Sequence, residues 1–466
     1  MRPAVSSQPD KVMRAFALLR RFVAFVALLA LPIAAEADEL RLSMSEARDY
    51  AARLIAEGRP ADALVVSEGV LRGRPGDVPA LLLKSRALRD LGRTQEALTV
   101  ARDAWSRAKA DEDRFYAALV MAQAQATGGQ KTRAQLWLRR AAQVAPDDRL
   151  RDVAVRDFQH VRRSTPWRMS VDLHFAPSDN LNGAPKTNTF TFAGLPFVNP
   201  AAVPLSGLRY GAEIDVLRRV PISQTQRLNF GAALRIDRVK QSSQSRALGI
   251  LRDSDMLRDN LDLRLGYERI AADERWLLRS GLTVSRHWVA GQALADAARF
   301  DLSFGRNIGE GLILTGRLGA EQEWRHDVSL RDASTLDTGL TLTRKTRHGA
   351  FNVDLAFADT TSDSRSVARE TARASVGYRF AKPLRGVLPR MTLSYETVNY
   401  DKSPAAFWSA PRQDREWQLS LDLLMPEMDY MGFAPEIGIS FRDRTSNYSL
   451  YELQSTDIRI GLKSVF

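Results

Sequence analysis

The chain has 466 residues, enough for two or three domains, and 44% of them are hydrophobic. It has no cysteine, which excludes disulfides, thiolate metal sites, cysteine nucleophiles and a lipidated N-terminal cysteine, and suits passage through an oxidising compartment. The net charge of +12 comes without a basic stripe on one helix and without a nucleic-acid-binding motif, so nucleic acid is not an expected partner. Lipopolysaccharide phosphates or a basic channel lining suit that charge better.

The chain opens on a pattern expected of a secretory signal, residues 1–37. Lys11, Arg14, Arg20 and Arg21 give a positive n-region, Phe22 to Leu31 is an unbroken apolar stretch of ten, and Ala35-Glu36-Ala37 is an A-x-A cleavage site. The mature protein is then expected to start at Asp38. No other apolar run approaches the ~20 residues of a spanning helix.

A helical region follows, expected over 38–164. Gly58 and Ala63 recur 34 positions on as Gly92 and Ala97, and again after 37 more as Gly129 and Ala134. Ala63 is followed 12 residues later by Pro75, and Ala134 12 residues later by Pro146. Small residues where two helices cross and a proline closing the unit resemble the tetratricopeptide repeat, in three copies, about the minimum for a stable stack. Such a stack has a concave groove for a peptide or partner protein. Trp105, Phe115, Tyr116 and Trp137 are its candidate lining, and core packing between repeats is the competing role for the same four.

Thr165-Pro166 ends the helical pattern. Beyond it the period becomes two. Fourteen candidate strands run from 167–176 and 206–218 to 433–442 and 455–466. Leu261, Leu263, Leu265 and Tyr267 oppose Asp262, Arg264 and Glu268; Trp417, Leu419, Leu421 and Leu423 oppose Gln418, Ser420 and Asp422. One apolar and one polar face per strand favours a barrel with lipid outside and a wet lumen. Connections after odd-numbered strands are mostly long (177–205, 239–257, 289–296, 326–334, 359–369, 401–413, 443–454), and those after even-numbered strands mostly short. That is the rhythm of an outer-membrane barrel with long extracellular loops and short periplasmic turns, and it puts the helical region in the periplasm. Trp276, Trp288, Trp324, Trp408 and Trp417 fall near strand ends, where aromatic girdles belong.

The last stretch, Ser455 to Phe466, alternates Ile458, Ile460, Leu462 with Asp457, Arg459, Lys463. It resembles the closing strand of bacterial outer-membrane barrels, and that resemblance makes Phe466 an expected recognition signal for the barrel-assembly machinery. The expected fold class is thus α + β in two domains: a helical repeat array, then an antiparallel transmembrane barrel of about 14 strands over 165–466.

No catalytic, cofactor or metal site is expected. The five histidines are not at metal-ligand spacing, and linear catalytic motifs are absent. His287 near Ser285, and His326 next to Asp327, are the candidates for a site assembled from separate strands, although histidines scattered at strand ends need no such role.

The order of signal peptide, short repeat array and 14-stranded barrel resembles the surface lipoprotein assembly modulator family, the outer-membrane components of type XI secretion in Gram-negative bacteria. The most local match is Phe175-Ala176-Pro177-Ser178-Asp179-Asn180-Leu181-Asn182-Gly183-Ala184, which looks like the Asp/Ser-Asn-x-Asn segment leaving the family's first barrel strand. Asp179, Asn180 and Asn182 are suited to capping a tight turn through side-chain to backbone hydrogen bonds. The resemblance implies a translocator that brings a client, a surface lipoprotein or secreted protein, across the outer membrane, with the repeats binding the client. Export of an exopolysaccharide and passive diffusion through a porin are the alternatives.

Overall fold

The computed structural model describes residues 42–192, 195–406 and 408–465; the expected signal peptide and Phe466 lie outside the described residues. The chain starts with seven helices: α1 (Met44–Ala56), α2 (Pro60–Gly73), α3 (Val78–Asp90), α4 (Thr94–Arg107), α5 (Asp111–Thr127), α6 (Lys131–Gln143) and α7 (Asp148–Ser164). Their starts are written locally. Ser43 and Glu46 form a reciprocal capping box on α1, and Asp77 and Asp147 accept the Ala80 and Leu150 amides on α3 and α7.

The repeat period has one physical origin. Gly58, Gly92 and Gly129 turn the chain between paired helices with φ of 74°, 77° and 77°, a region that costs any residue with a Cβ. Each left-handed residue lets the next amide reach back five positions: Arg59 N to Leu54 O at 2.8 Å, Arg93 N to Leu88 O at 2.9 Å and Gln130 N to Gln125 O at 2.8 Å. Ala63, Ala97 and Ala134, one turn into the following helix, have zero exposure. The crossing at Ala97 is close enough for Ser85 Oγ, buried on α3, to donate to its carbonyl at 2.8 Å.

The strands are β1 (Trp167–Ser178), β2 (Thr189–Phe192), β3 (Leu195–Val198), β4 (Gly207–Pro221), β5 (Gln226–Gln241), β6 (Arg258–Ile270), β7 (Trp276–Val289) and β8 (Gln292–Gly309). They continue with β9 (Leu312–Arg325), β10 (Ala333–Lys345), β11 (Gly349–Ser362), β12 (Arg369–Phe380), β13 (Leu388–Tyr400), β14 (Gln413–Leu424), β15 (Phe433–Ser446) and β16 (Leu453–Ser464). Fourteen of them form one closed antiparallel barrel in which chain neighbours are wall neighbours and β1 closes against β16. The other two, β2 and β3, make a separate hairpin inside the first long loop, where the alternation of a wall strand is missing.

One connection differs from expectation. The segment 289–296 is a tight turn at Ala290 and Gly291, with φ of 52° and 79°, because β7 and β8 run on and pair through Val289 and Gln292. Trp408 also departs from a girdle: it stands in the loop between β13 and β14, its ring 4.5 Å from Tyr448.

The exterior is apolar. Leu263, Leu318, Leu336, Leu340 and Leu355 are each more than half exposed, at 55%, 57%, 66%, 53% and 53%. An array of such residues around a closed wall is stable against lipid and not against water. Among the described residues no helix is long and apolar enough to cross a membrane, so the crossing is made by strands.

Candidate functional site

The alternate residues of each strand point into the barrel and bind one another across the wall. Arg317 Nη2 lies 3.1 Å from Asp354, Arg299 2.8 Å from Asp337, and Arg390 and Arg459 flank Asp422 at 2.8 and 3.0 Å. Arg235 pairs with Glu213, Arg264 with Asp215 and Arg373 with Glu396. Each contact joins strands one or two apart, so the lattice braces the cylinder while keeping its inner surface wettable and charged. It gives a polar chain alternating partners of both signs and an apolar one none.

The wall is uneven. β1 faces β4 without interruption from Trp167 opposite Arg218 to Ser178 opposite Gly207. Against β16 it is in register only at His174 with Gly461, Phe175 with Ile460 and Ser178 with Asp457. Pro177, in the middle of that stretch, has no N–H to donate to either neighbour. Towards the short-turn end the pairing stops: Leu173 does not pair with Leu462, nor Asp172 with Lys463. A cavity of about 1030 Å³ lies along the two strands and under α6 and α7, and extends across the lumen to β4, β5, β14 and β15.

At the opposite, long-loop end the same seam is tied. Ser178 Oγ donates to Asp457 at 2.8 Å, and Lys186 N to Glu452 O at 2.8 Å. Asn180, 9% exposed, closes a ring with Ala184 by donating to its carbonyl (2.7 Å) and accepting its amide (2.8 Å). Asn182 does the same across the loop, to Val203 O at 3.0 Å and from Leu205 N at 3.0 Å. Asp179 is exposed beside them. Rings of Phe190, Trp408 and Tyr448 link the first loop to two later ones, with Phe190 and Trp408 centroids 6.3 Å apart.

The helical array meets the barrel at the short-turn end. Arg139 on α6 donates to Met431 O at 2.9 Å, in the turn between β14 and β15, and to Ser464 Oγ at 2.8 Å, at the end of β16. Its guanidinium sits between two rings, 4.7 Å from Phe158 of α7 and 4.5 Å from Phe433 of β15. Burial, with Arg162 nearby, lowers its pKa to about 10, so it remains a cation at neutral pH. Met431 N donates to Gln143 Oε1 at 2.6 Å, and Arg151 pairs with Asp429.

The four groove candidates are split by this packing. Phe115 has zero exposure, inside α5. Trp105 and Trp137 meet edge to face at 5.1 Å, with Arg140 4.8 Å over Trp137, and both pack on the cluster around Phe115. Tyr116 is 38% exposed. Ser285 Oγ donates to Asp262 at 2.7 Å, and His326 Nε2 lies 3.1 Å from Asp296, so neither histidine candidate forms a hydroxyl–imidazole pair. Sequence reasoning did not find Arg139 or the seam. Pro177 signals only the short break beside it, between Phe175 and Ser178.

A closed barrel with an apolar exterior, a charged lumen and a helical array on its short-turn mouth defines an outer-membrane β-barrel of the transport and assembly kind. The model of the surface lipoprotein assembly modifier family matches residues 167–466, and the chain belongs to that family. A tetratricopeptide repeat model matches residues 54–119. No curated protein matches the chain. Among solved structures it is similar to OmpT, an outer membrane protein of Vibrio cholerae, at 11% identity, covering 64% of this chain and 97% of that one with a TM-score of 0.36. It is also similar to the outer membrane channel DcaP of Acinetobacter baumannii, at 11% identity over 63% and 96% with a TM-score of 0.37. The protein is an outer-membrane protein whose family implies a lipoprotein client.

Proposed function

We propose that this protein delivers a client protein, a surface lipoprotein or a secreted soluble protein, from the periplasm to the cell surface. Residues 1–37 direct export and are removed, residues 38–164 receive the client in the periplasm, and residues 165–466 provide the route through the outer membrane. The barrel-assembly machinery inserts the protein, and lipopolysaccharide surrounds it. No catalysis is needed: the work is binding and guiding.

The observation that carries this reading is the docking of α6 and α7 onto the β14–β15 turn and the end of β16 through Arg139. A binding array held at the mouth of a charged lumen hands its cargo to the barrel. A passive porin has no use for such an array.

Protease shaving of intact cells with and without the gene tests it. Loss of one or a few proteins from the surface, with their retention inside, is the expected result. An unchanged surface proteome sinks the reading and turns attention to exopolysaccharide and small-solute permeability. A chain lacking 43–157 is expected to fold as a barrel and export poorly.

A further inference from the structure

The incomplete seam has a chemistry of its own. Because successive residues of a strand face opposite sides of the wall, a cleft between two strands touches both phases only if it passes through the wall. The cavity at β1 and β16 does so. On β1 it is lined by Met169 and Val171 from the lipid face and by Ser170 and Asp172 from the lumen face; on β16, by Leu462 and by Lys463. Met169 and Val171 are 62% and 41% exposed on the barrel exterior. The cleft is continuous with the lumen, where Glu213, Arg235, Asp237 and Asp422 line the same cavity, so a group lying in it reaches the charged interior without crossing a barrier.

Backbone groups of an unpaired strand edge cannot face hydrocarbon, so a permanently half-open seam needs a reason. The other wall pairs run along nearly their whole length, with single-residue register shifts at His287/Trp288 in β7–β8 and at Asn307/Gly309 in β8–β9. At the β1–β16 seam the pairing lapses twice: briefly at Ala176 and Pro177, between the paired Phe175 and Ser178, and throughout the short-turn end before His174, where the helices dock; the long-loop end is tied by Ser178, Asp457, Lys186 and Glu452. A slot open at the entry side, apolar outside and charged inside, matches one kind of passenger. It is a polypeptide with a covalent acyl tail, whose two parts belong in different solvents at every stage of the crossing.

We propose that the short-turn half of the β1–β16 seam is a lateral slot for the acyl anchor of a lipidated client. The tail lies among Met169, Val171 and Leu462 in contact with membrane lipid. The attached polypeptide lies on the lumen side, against Asp172, Arg459 and Lys463. This rests on the client-delivery reading above and deepens it, because it assigns where the lipid goes.

The test uses the full-length protein in phosphatidylcholine vesicles. The probe is a synthetic dipalmitoyl lipopeptide with a diazirine in one acyl chain; diazirine-bearing phosphatidylcholine is the second probe. Lipopeptide label on Met169, Val171 and Leu462 is expected to exceed that on Leu263, Leu318 and Leu340 about tenfold, the ratio of a modest site preference. The phosphatidylcholine label is expected to be even. Bridging Leu173→Cys to Leu462→Cys, by a disulfide or a short bis-maleimide, should remove the enrichment, and the chain's lack of native cysteine keeps that bridge unambiguous. A Leu393→Cys to Leu419→Cys bridge across the complete β13–β14 pair should leave it unchanged.

Even labelling by the lipopeptide overturns the slot. So does equal enrichment by both probes, which makes the cleft an ordinary boundary-lipid site, and so does enrichment that survives the Leu173–Leu462 bridge. The client-delivery reading fails separately, through an unchanged surface proteome in the shaving experiment.

Discussion

Arg139 Nη2 donates to Ser464 Oγ at 2.8 Å, joining residues 325 positions apart. The same guanidinium holds Met431 O at 2.9 Å and is stacked between Phe158 and Phe433. Replacing Arg139 with alanine removes the charge-assisted hydrogen bonds to Met431 O and Ser464 Oγ, each worth about 1.5–3 kcal/mol. The array is expected to loosen while the barrel stays folded. Limited proteolysis should cut near Thr165-Pro166 faster in Arg139→Ala, and heat-modifiable migration should be unchanged.

The repeat turns are sensitive to a Cβ. Gly92→Val forces a β-branched residue into φ of +77° and is expected to cost about 1–2 kcal/mol or more. Ala97→Leu, at a position with zero exposure facing Ser85, is expected to cost about 1–3 kcal/mol by overpacking. Both should lower the melting of the helical circular-dichroism signal. The β-signal should melt where it does in the parent chain.

Asn180→Ala breaks both hydrogen bonds of the ring with Ala184 and leaves a buried amide and carbonyl without that partner. The expected cost is about 1–3 kcal/mol, confined to the first loop. Proteases added to intact cells should nick 183–204 more readily in this variant. Asp179→Ala, at an exposed side chain, should leave that rate alone.

Glu436, 6% exposed, accepts from Arg459 at 3.1 Å and from Lys463 at 2.9 Å. Glu436→Gln leaves two lumen-facing cations without their shared carboxylate, next to the seam. Removing one partner from a buried ionic cluster costs about 3–5 kcal/mol, less where water reaches the cations, as here. The variant should unfold at a lower temperature in semi-native electrophoresis. Its channel should also shift towards anion selectivity in planar bilayers.

Much of the barrel was legible because membrane strands repeat one simple constraint. The alternation Leu261, Leu263, Leu265, Tyr267 against Asp262, Arg264, Glu268 reappears as lipid and lumen faces of β6. The glycine-alanine period likewise reappears as three identical turns. Local chemistry wrote these features, so local reading found them. The β7–β8 turn at Ala290-Gly291 was hidden because every second residue of Gln292 to Ala297 is alanine, so the bulky apolar alternation of a wall strand is missing. The hairpin of β2 and β3 pairs outside the wall and follows no lipid face. The Arg139 contacts were invisible for a different reason. They join segments about 290 positions or more apart, and nothing near Arg139 in the sequence distinguishes it from its neighbour Arg140.

The helix pair grips both lips of one slot. α7 runs into β1 through Thr165 and Pro166 alone, a connection too short to absorb slack. α6 holds the facing strand by Arg139 on Ser464. A rigid body fastened to both sides of an unzipped joint is a lever. Tilting α6 and α7 against the barrel rim pulls the β1 and β16 ends apart or presses them together, and carries the β14–β15 turn with it through Met431 and Asp429. On the client-delivery proposal, a cargo that shifts the array would change the width of the gap directly, with no nucleotide-driven motor needed to couple the two.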